Sequence, residues 1–197
     1  MKKMIIAAAM LLCLGGTAAA QRHLEYKWHG FYATVEGTYG TNLNKGEDVN
    51  GICDTVNAFG MAFSAGYQFR KEAGVGAGVM YVADGTGAFT QMPVFAELRS
   101  HFLRSRLTPY TVLQAGYSLP VGASSEGPNV VKITKGGLYF GLTGGARYAI
   151  ERTFAVGLHL DYKMLQSNVV ERRLPSGSML SEPKVIHLLT GGVSLYF

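Results

Sequence analysis

The chain has 197 residues, 48% of them hydrophobic and 26 of them glycine, with 18 basic and 13 acidic side chains and two cysteines. The net charge of +5 is scattered, with no polybasic block and no basic patch interleaved with aromatics, so nucleic acid is not an indicated partner. Beyond residue 20 no run of eighteen apolar residues occurs, which excludes a transmembrane helix, and Cys53 is the one cysteine left there, which excludes an internal disulfide.

Residues 1–20 read as a cleaved signal peptide. Met1, Lys2 and Lys3 form a short basic start, Met4 to Leu14 an apolar core too short for a permanent span, and Ala18-Ala19-Ala20 an A-x-A cleavage site before Gln21. A lipidation site at Cys13 is the alternative, but Leu12 stands where a small residue is wanted. Cleavage also removes Lys2 and Lys3, leaving 16 basic against 13 acidic residues, and the segment 21–197 is long enough for one domain.

Eight strands follow, at about residues 28–40, 57–70, 73–83, 92–103, 109–119, 137–150, 153–164 and 184–197. Most exceed the roughly 9 to 11 residues that a tilted strand needs to cross a bilayer. Each alternates. In the second, Phe59, Met61, Phe63, Ala65, Tyr67 and Phe69 oppose Gly60, Ala62, Ser64, Gly66 and Gln68, a contrast of period two that no helix makes. The connections alternate as well. Arg70-Lys71-Glu72, Arg104 to Thr108 and Glu151-Arg152 are short and charged, whereas 41–56, 120–136 and 165–183 are long and rich in Gly, Asn, Ser and Pro. Tight turns at one end and long loops at the other are the pattern of an even-stranded, up-and-down antiparallel barrel.

A soluble barrel would alternate too, with its apolar face inward. The polar face decides between the two, since it gathers Glu36, Glu97, Arg99, His101, Arg147, His159, Asp161 and Lys163 together with most of the strand glycines. Large charged groups beside glycines suit the crowded bore of a narrow barrel, and a water-facing surface has no use for glycines that weaken a strand. Aromatic residues of the apolar face collect near strand ends, with Phe69, Phe102, Tyr148, Phe154 and Phe197 at one rim and Tyr39, Phe59, Tyr81, Tyr117, Phe140 and Tyr162 at the other. Two interfacial girdles have this layout. The expected fold is therefore all-β, an eight-stranded transmembrane barrel over 21–197.

The last strand ends Val193-Ser194-Leu195-Tyr196-Phe197, with Val193, Leu195 and Phe197 on the apolar face and Ser194 and Tyr196 opposite. This ending resembles the C-terminal signature of bacterial outer-membrane β-barrels, and the chain from about Trp28 to Phe197 resembles the small eight-stranded OmpA and OmpX type, often labelled porin-like or surface-antigen proteins. The resemblance implies a protein of a Gram-negative-type outer membrane with both termini periplasmic. It also implies assembly by the barrel-assembly machinery and periplasmic chaperones, through Val193, Leu195 and Phe197, and contact with lipopolysaccharide. Family roles range over envelope integrity, adhesion and resistance to host defence. The peptidoglycan-binding domain of OmpA-type proteins is not expected, so cell-wall anchoring is not implied.

Chemistry on the barrel is weighed against a bland reading at each site. His159 and Asp161 share the inner face with Ser64, Ser118 and Ser194, so a Ser-His-Asp arrangement is conceivable, but a charge network filling the bore is the favoured reading. A lipid A deacylase would show His-x-Ser-Asn, and here the stretch reads His159-Leu160-Asp161-Tyr162. His23, His29, His101, His159 and His187 have no paired metal-ligand spacing and Cys53 has no cysteine partner, so no metal and no cofactor are expected. Arg172 and Arg173, in the long 165–183 loop, are candidate contacts for lipopolysaccharide phosphates or an acidic surface ligand. The leading expectation is a structural or surface-interaction role without enzyme activity. A narrow solute pore is second and a lipid hydrolase or acyltransferase third.

Overall fold

The computed structural model describes residues 29–43, 57–70, 72–84, 90–121, 133–173 and 179–197. The expected signal peptide, Cys13 and Cys53 lie outside them. The strands are β1 (Gly30–Asn42), β2 (Asn57–Arg70), β3 (Ala73–Asp84), β4 (Thr90–His101), β5 (Leu107–Pro120), β6 (Ile133–Lys135), β7 (Gly137–Ala149), β8 (Ala155–Arg173) and β9 (Met179–Tyr196). No helix occurs among the described residues.

Every pairing is antiparallel and, apart from β6, a three-residue strand that pairs β8 while β5 pairs β7 directly, and from the closing pair of β1 with β9, joins strands adjacent along the chain. β1 also pairs β9, from Thr34 opposite Tyr196 to Asn42 opposite Leu188, and this ladder closes eight strands into a barrel. Closure leaves no open edge within the wall, which is the one way a sheet satisfies its backbone in hydrocarbon.

The side chains sort by parity as the pattern requires. In β2 the odd positions Phe59, Met61, Phe63, Tyr67 and Phe69 are exposed, and the even positions Ala58, Gly60, Ala62, Ser64 and Gln68 are buried. Around the wall the outward residues are almost all apolar, among them Val79, Val94, Leu98, Leu113, Leu142, Leu158, Leu160 and Val193. The fully buried residues include Arg99, Asp161 and Thr34. A protein with grease outside and charge inside is built for lipid as its solvent. At the short-turn rim Tyr67 meets Phe31 edge to face and Phe69 at a tilt, with ring centroids 5.2 Å apart in both pairs, and Phe154 meets Phe197 at 5.5 Å. Phe59 and Tyr81 pair at the opposite rim.

Two stretches differ from expectation. Residues 165–183 are not a loop throughout. β8 continues to Arg173 and β9 begins at Met179, so a paired hairpin runs on from the barrel through Val169 opposite Glu182 and Arg172 opposite Leu180. The expected loop 120–136 contains β6, which lies against Asn168 and Val169 of that hairpin. Past Gln166 the sequence Ser167-Asn168-Val169-Val170-Glu171-Arg172-Arg173 lacks the period-two contrast that marks a half-buried strand.

Candidate functional site

Successive inward positions of one strand lie two residues apart, so β4 delivers Glu97, Arg99 and His101 to the bore and β8 delivers His159, Asp161 and Lys163. β1 adds Glu36 and β7 adds Arg147. None of the eight is more than 5% exposed.

Arg99 organises the first of two polar centres. Its Nη2 stands 3.0 Å from Glu97 Oε1 and 3.7 Å from Glu36 Oε1, and donates to Thr34 Oγ1 at 3.4 Å. Glu97 Oε1 also accepts from Tyr32 at 2.8 Å and from Ser64 at 3.2 Å. β1 and β4 are not neighbours in the wall, so the Glu36–Arg99 and Tyr32–Glu97 contacts cross the bore. The guanidinium lies over two rings, Tyr32 at 4.9 Å and Tyr196 at 5.1 Å. A buried cation needs such compensation, because its desolvation in a low-dielectric interior is otherwise severe.

The second centre is nearer the long loops. Lys163 Nζ lies 3.0 Å from Asp161 Oδ2 and donates to Thr38 Oγ1 at 3.2 Å and Thr190 Oγ1 at 3.1 Å. Thr190 in turn donates to Asp161 Oδ2 at 3.1 Å, and His159 Nε2 is 3.4 Å from the same oxygen.

At the short-turn end Tyr196 is the hub. It is 1% exposed, carries Arg99 on its ring and Arg147 at 5.4 Å, and meets Tyr110 edge to face at 5.7 Å. Ser194 bonds both Tyr110 and Tyr196, while His101 packs near the Tyr110 ring. The inward glycines make room for these groups. A Cβ at Gly192 would stand 2.6 Å from His159 Nε2, whereas one at the outward Gly37 would meet nothing within 4 Å.

Toward the long loops the bore turns apolar. Met80, Val82, Phe95, Leu165, Ile186 and Leu188 form a buried cluster above the charged centres, joined by Tyr139, which donates to Gln114 Oε1 at 2.6 Å. Sequence reasoning singled out the charges and placed Tyr196 inward, but missed this layer and the part that Tyr110, Tyr139 and Tyr196 play in the bore. All of them sit at inward parity, and that was the available signal.

The triad arrangement does not form. Ser64 bonds Glu97, Ser118 bonds Gln91, and Ser194 bonds tyrosines, while neither ring nitrogen of His159 has a hydrogen-bond partner among the described residues. No three His, Cys, Asp or Glu side chains among the described residues are grouped to hold a metal. Arg172 and Arg173 fall on the far end of β8, opposite Leu180 and Met179, and their side chains lie outside the described residues. Val193 and Phe197 face outward at 47% and 53% exposure, with Leu195 half-buried between them.

No protein-family model and no curated protein matches the chain. Several solved structures share its fold, three of which follow. Neisserial surface protein A is 13% identical, with a TM-score of 0.58 over 85% of this chain and 96% of that one. Outer membrane protein OprG from Pseudomonas aeruginosa is 15% identical, with a TM-score of 0.52 over 89% and 99%. Outer membrane protein AlkL, determined in DMPC lipid bilayers, is 16% identical, with a TM-score of 0.52 over 92% and 96%. The fold is that of the small eight-stranded outer-membrane β-barrels.

Proposed function

We propose that the protein is an integral outer-membrane barrel with a structural or surface-interaction role, acting through the long connections at one end and not through its bore. The observation that carries this reading is the filled lumen. Two polar centres and an apolar layer occupy the space that a pore would need, and eight strands enclose little more than side chains can fill. With the interior occupied, the rim is left to act, and there the β8–β9 ladder extends to Arg173 and Met179. Loops and extensions on a rigid scaffold are where recognition resides. In this reading the termini are periplasmic, the hairpin is external, lipopolysaccharide is the neighbouring lipid, and the outward Val193, Leu195 and Phe197 are read by periplasmic chaperones and the assembly machinery.

The test is photo-crosslinking on intact cells from a probe at Lys184, beside a variant lacking residues 169–182. That deletion spares Leu165 and Ile186, which are barrel core. A discrete surface adduct formed by the full chain and not by the shortened one, with both inserted equally, is expected. An adduct pattern unchanged by the deletion contradicts the role given to the hairpin.

A further inference from the structure

The three short turns share a local pattern. Each strand entering a turn ends on an exposed apolar side chain, and an exposed arginine follows it by one or two residues: Phe69 before Arg70, Phe102 before Arg104, Ile150 before Arg152. A strand advances about 3.3 Å per residue, so these arginines stand within roughly 7 Å of the outward ring belt that marks the lipid–water interface. That is headgroup depth.

The turns are held by their own hydrogen bonds. Thr108 Oγ1 donates to the carbonyls of Ser105 at 2.7 Å and Leu103 at 3.3 Å, and the Ala149 N–H donates to the Arg106 carbonyl at 2.8 Å, tying the turn that carries Arg104 to β7. The Ile150 and Glu151 N–H groups both donate to the Phe154 carbonyl at 3.0 Å, closing the turn that carries Arg152. Positive charge is in excess. Arg70, Arg104, Arg106 and Arg152 stand against Glu72 and Glu151, and the sequence adds Lys71. Arg70, Arg104 and Arg152 form no ion pair with any described residue. A guanidinium at this depth can lay its stem along the ring belt and offer its fork to phosphate oxygens. A zwitterionic lipid brings an ammonium along with its phosphate, whereas an anionic lipid leaves the attraction uncancelled.

We propose that the short-turn rim is a contact surface for anionic phospholipid, with Arg70, Arg104 and Arg152 each meeting a headgroup whose chains lie along the adjoining strands. An anionic surface favours each nearby arginine by a factor of about five, and salt screens the effect. The surface requires only that the barrel lie in a bilayer. It is independent of any role of the β8–β9 hairpin, which projects from the opposite end.

The experiment places the folded full chain in phosphatidylcholine vesicles and compares, by electron paramagnetic resonance, the immobilised fractions of spin-labelled phosphatidylglycerol and spin-labelled phosphatidylcholine. A preference for phosphatidylglycerol of about twofold or more, averaged over all contacted lipid, is expected at low salt. It should fall to parity at about 1 M salt and in R70Q/R104Q/R152Q, and persist in R172Q/R173Q. Insertion is scored by heat-dependent gel mobility. If the triple variant inserts poorly, the three single variants decide, each lowering the preference by part. No preference in the unmodified protein, or one that these variants leave intact, overturns the proposal. Binding of soluble polyglutamate through the same arginines without any lipid preference also overturns it, and assigns the rim to an acidic protein partner.

Discussion

Replacing Arg99 by methionine tests whether the bore is held by compensated charge. The substitution keeps an unbranched apolar stem of similar reach and removes the guanidinium, leaving Glu97 and Glu36 buried at 4% and 5% exposure without the cation 3.0 and 3.7 Å away. Breaking a buried pair from one side costs about 3 to 5 kcal/mol. Loss of the contacts over Tyr32 and Tyr196, each worth about 0.5 to 2 kcal/mol, places R99M toward the top of that range. Neutralising the orphaned partners should restore most of the loss, since a buried ion pair exchanged for uncharged groups is often close to neutral. The triple variant E36Q/E97Q/R99M is therefore expected within about 1 to 2 kcal/mol of the wild type. Reversible urea unfolding in lipid vesicles measures both variants. A loss below about 1 kcal/mol in R99M, the scale of an exposed pair, or a triple variant weaker than the single one, refutes the reasoning.

Leu142 is outward and central in β7, so L142R should cost roughly 2 to 4 kcal/mol, against about 0 to 1 for L138R at the rim; equal losses in the same unfolding assay would deny the lipid belt. G192A should destabilise by roughly 1 to 3 kcal/mol through collision with His159 and the Gly37 carbonyl, while G37A, with open space around it, should fold as well as the wild type. A reversed order in vesicle stability would mean the inward and outward faces are misassigned. Y196A and F197A should separate by assay: Y196A removes the ring under Arg99 and Arg147 and lowers stability after insertion, whereas F197A lowers inserted yield, scored by heat-dependent gel mobility. Identical behaviour of the two in both assays would remove the distinction.

How much of this was legible in the sequence follows from what lipid imposes. Within the bilayer every outward position must be apolar and the bore of a narrow barrel must hold whatever is polar. Phe59 to Phe69 in β2 therefore announce their own faces, and Glu97, Arg99, Asp161 and Lys163 announce the lumen. The constraint ends where the wall ends. Beyond Gln166 the alternation fades, and Glu171-Arg172-Arg173 followed by Leu174-Pro175 reads as loop although β8 and β9 stay paired to Arg173 and Met179. Partners were harder to read than faces. Glu36 finds Arg99, and Lys163 finds Thr38, across strands that do not adjoin, so no ladder register encodes either contact. Met80 and Val82, or Leu188 beside Leu189, were hidden for another reason. Where both faces of a strand are apolar the alternation disappears, and the inward layer is visible only by counting parity from a confident position.

The claim on which the account rests is that the interior is filled, and planar-bilayer conductance of the unmodified protein tests it most directly. With Lys163 held by Asp161, Thr38 and Thr190 and the apolar cluster of Met80, Phe95 and Leu188 above it, at most small and rare steps are expected, and R147A should make them larger and more frequent. Large, stable channels in the unmodified protein would contradict the account and make solute passage the function of the barrel.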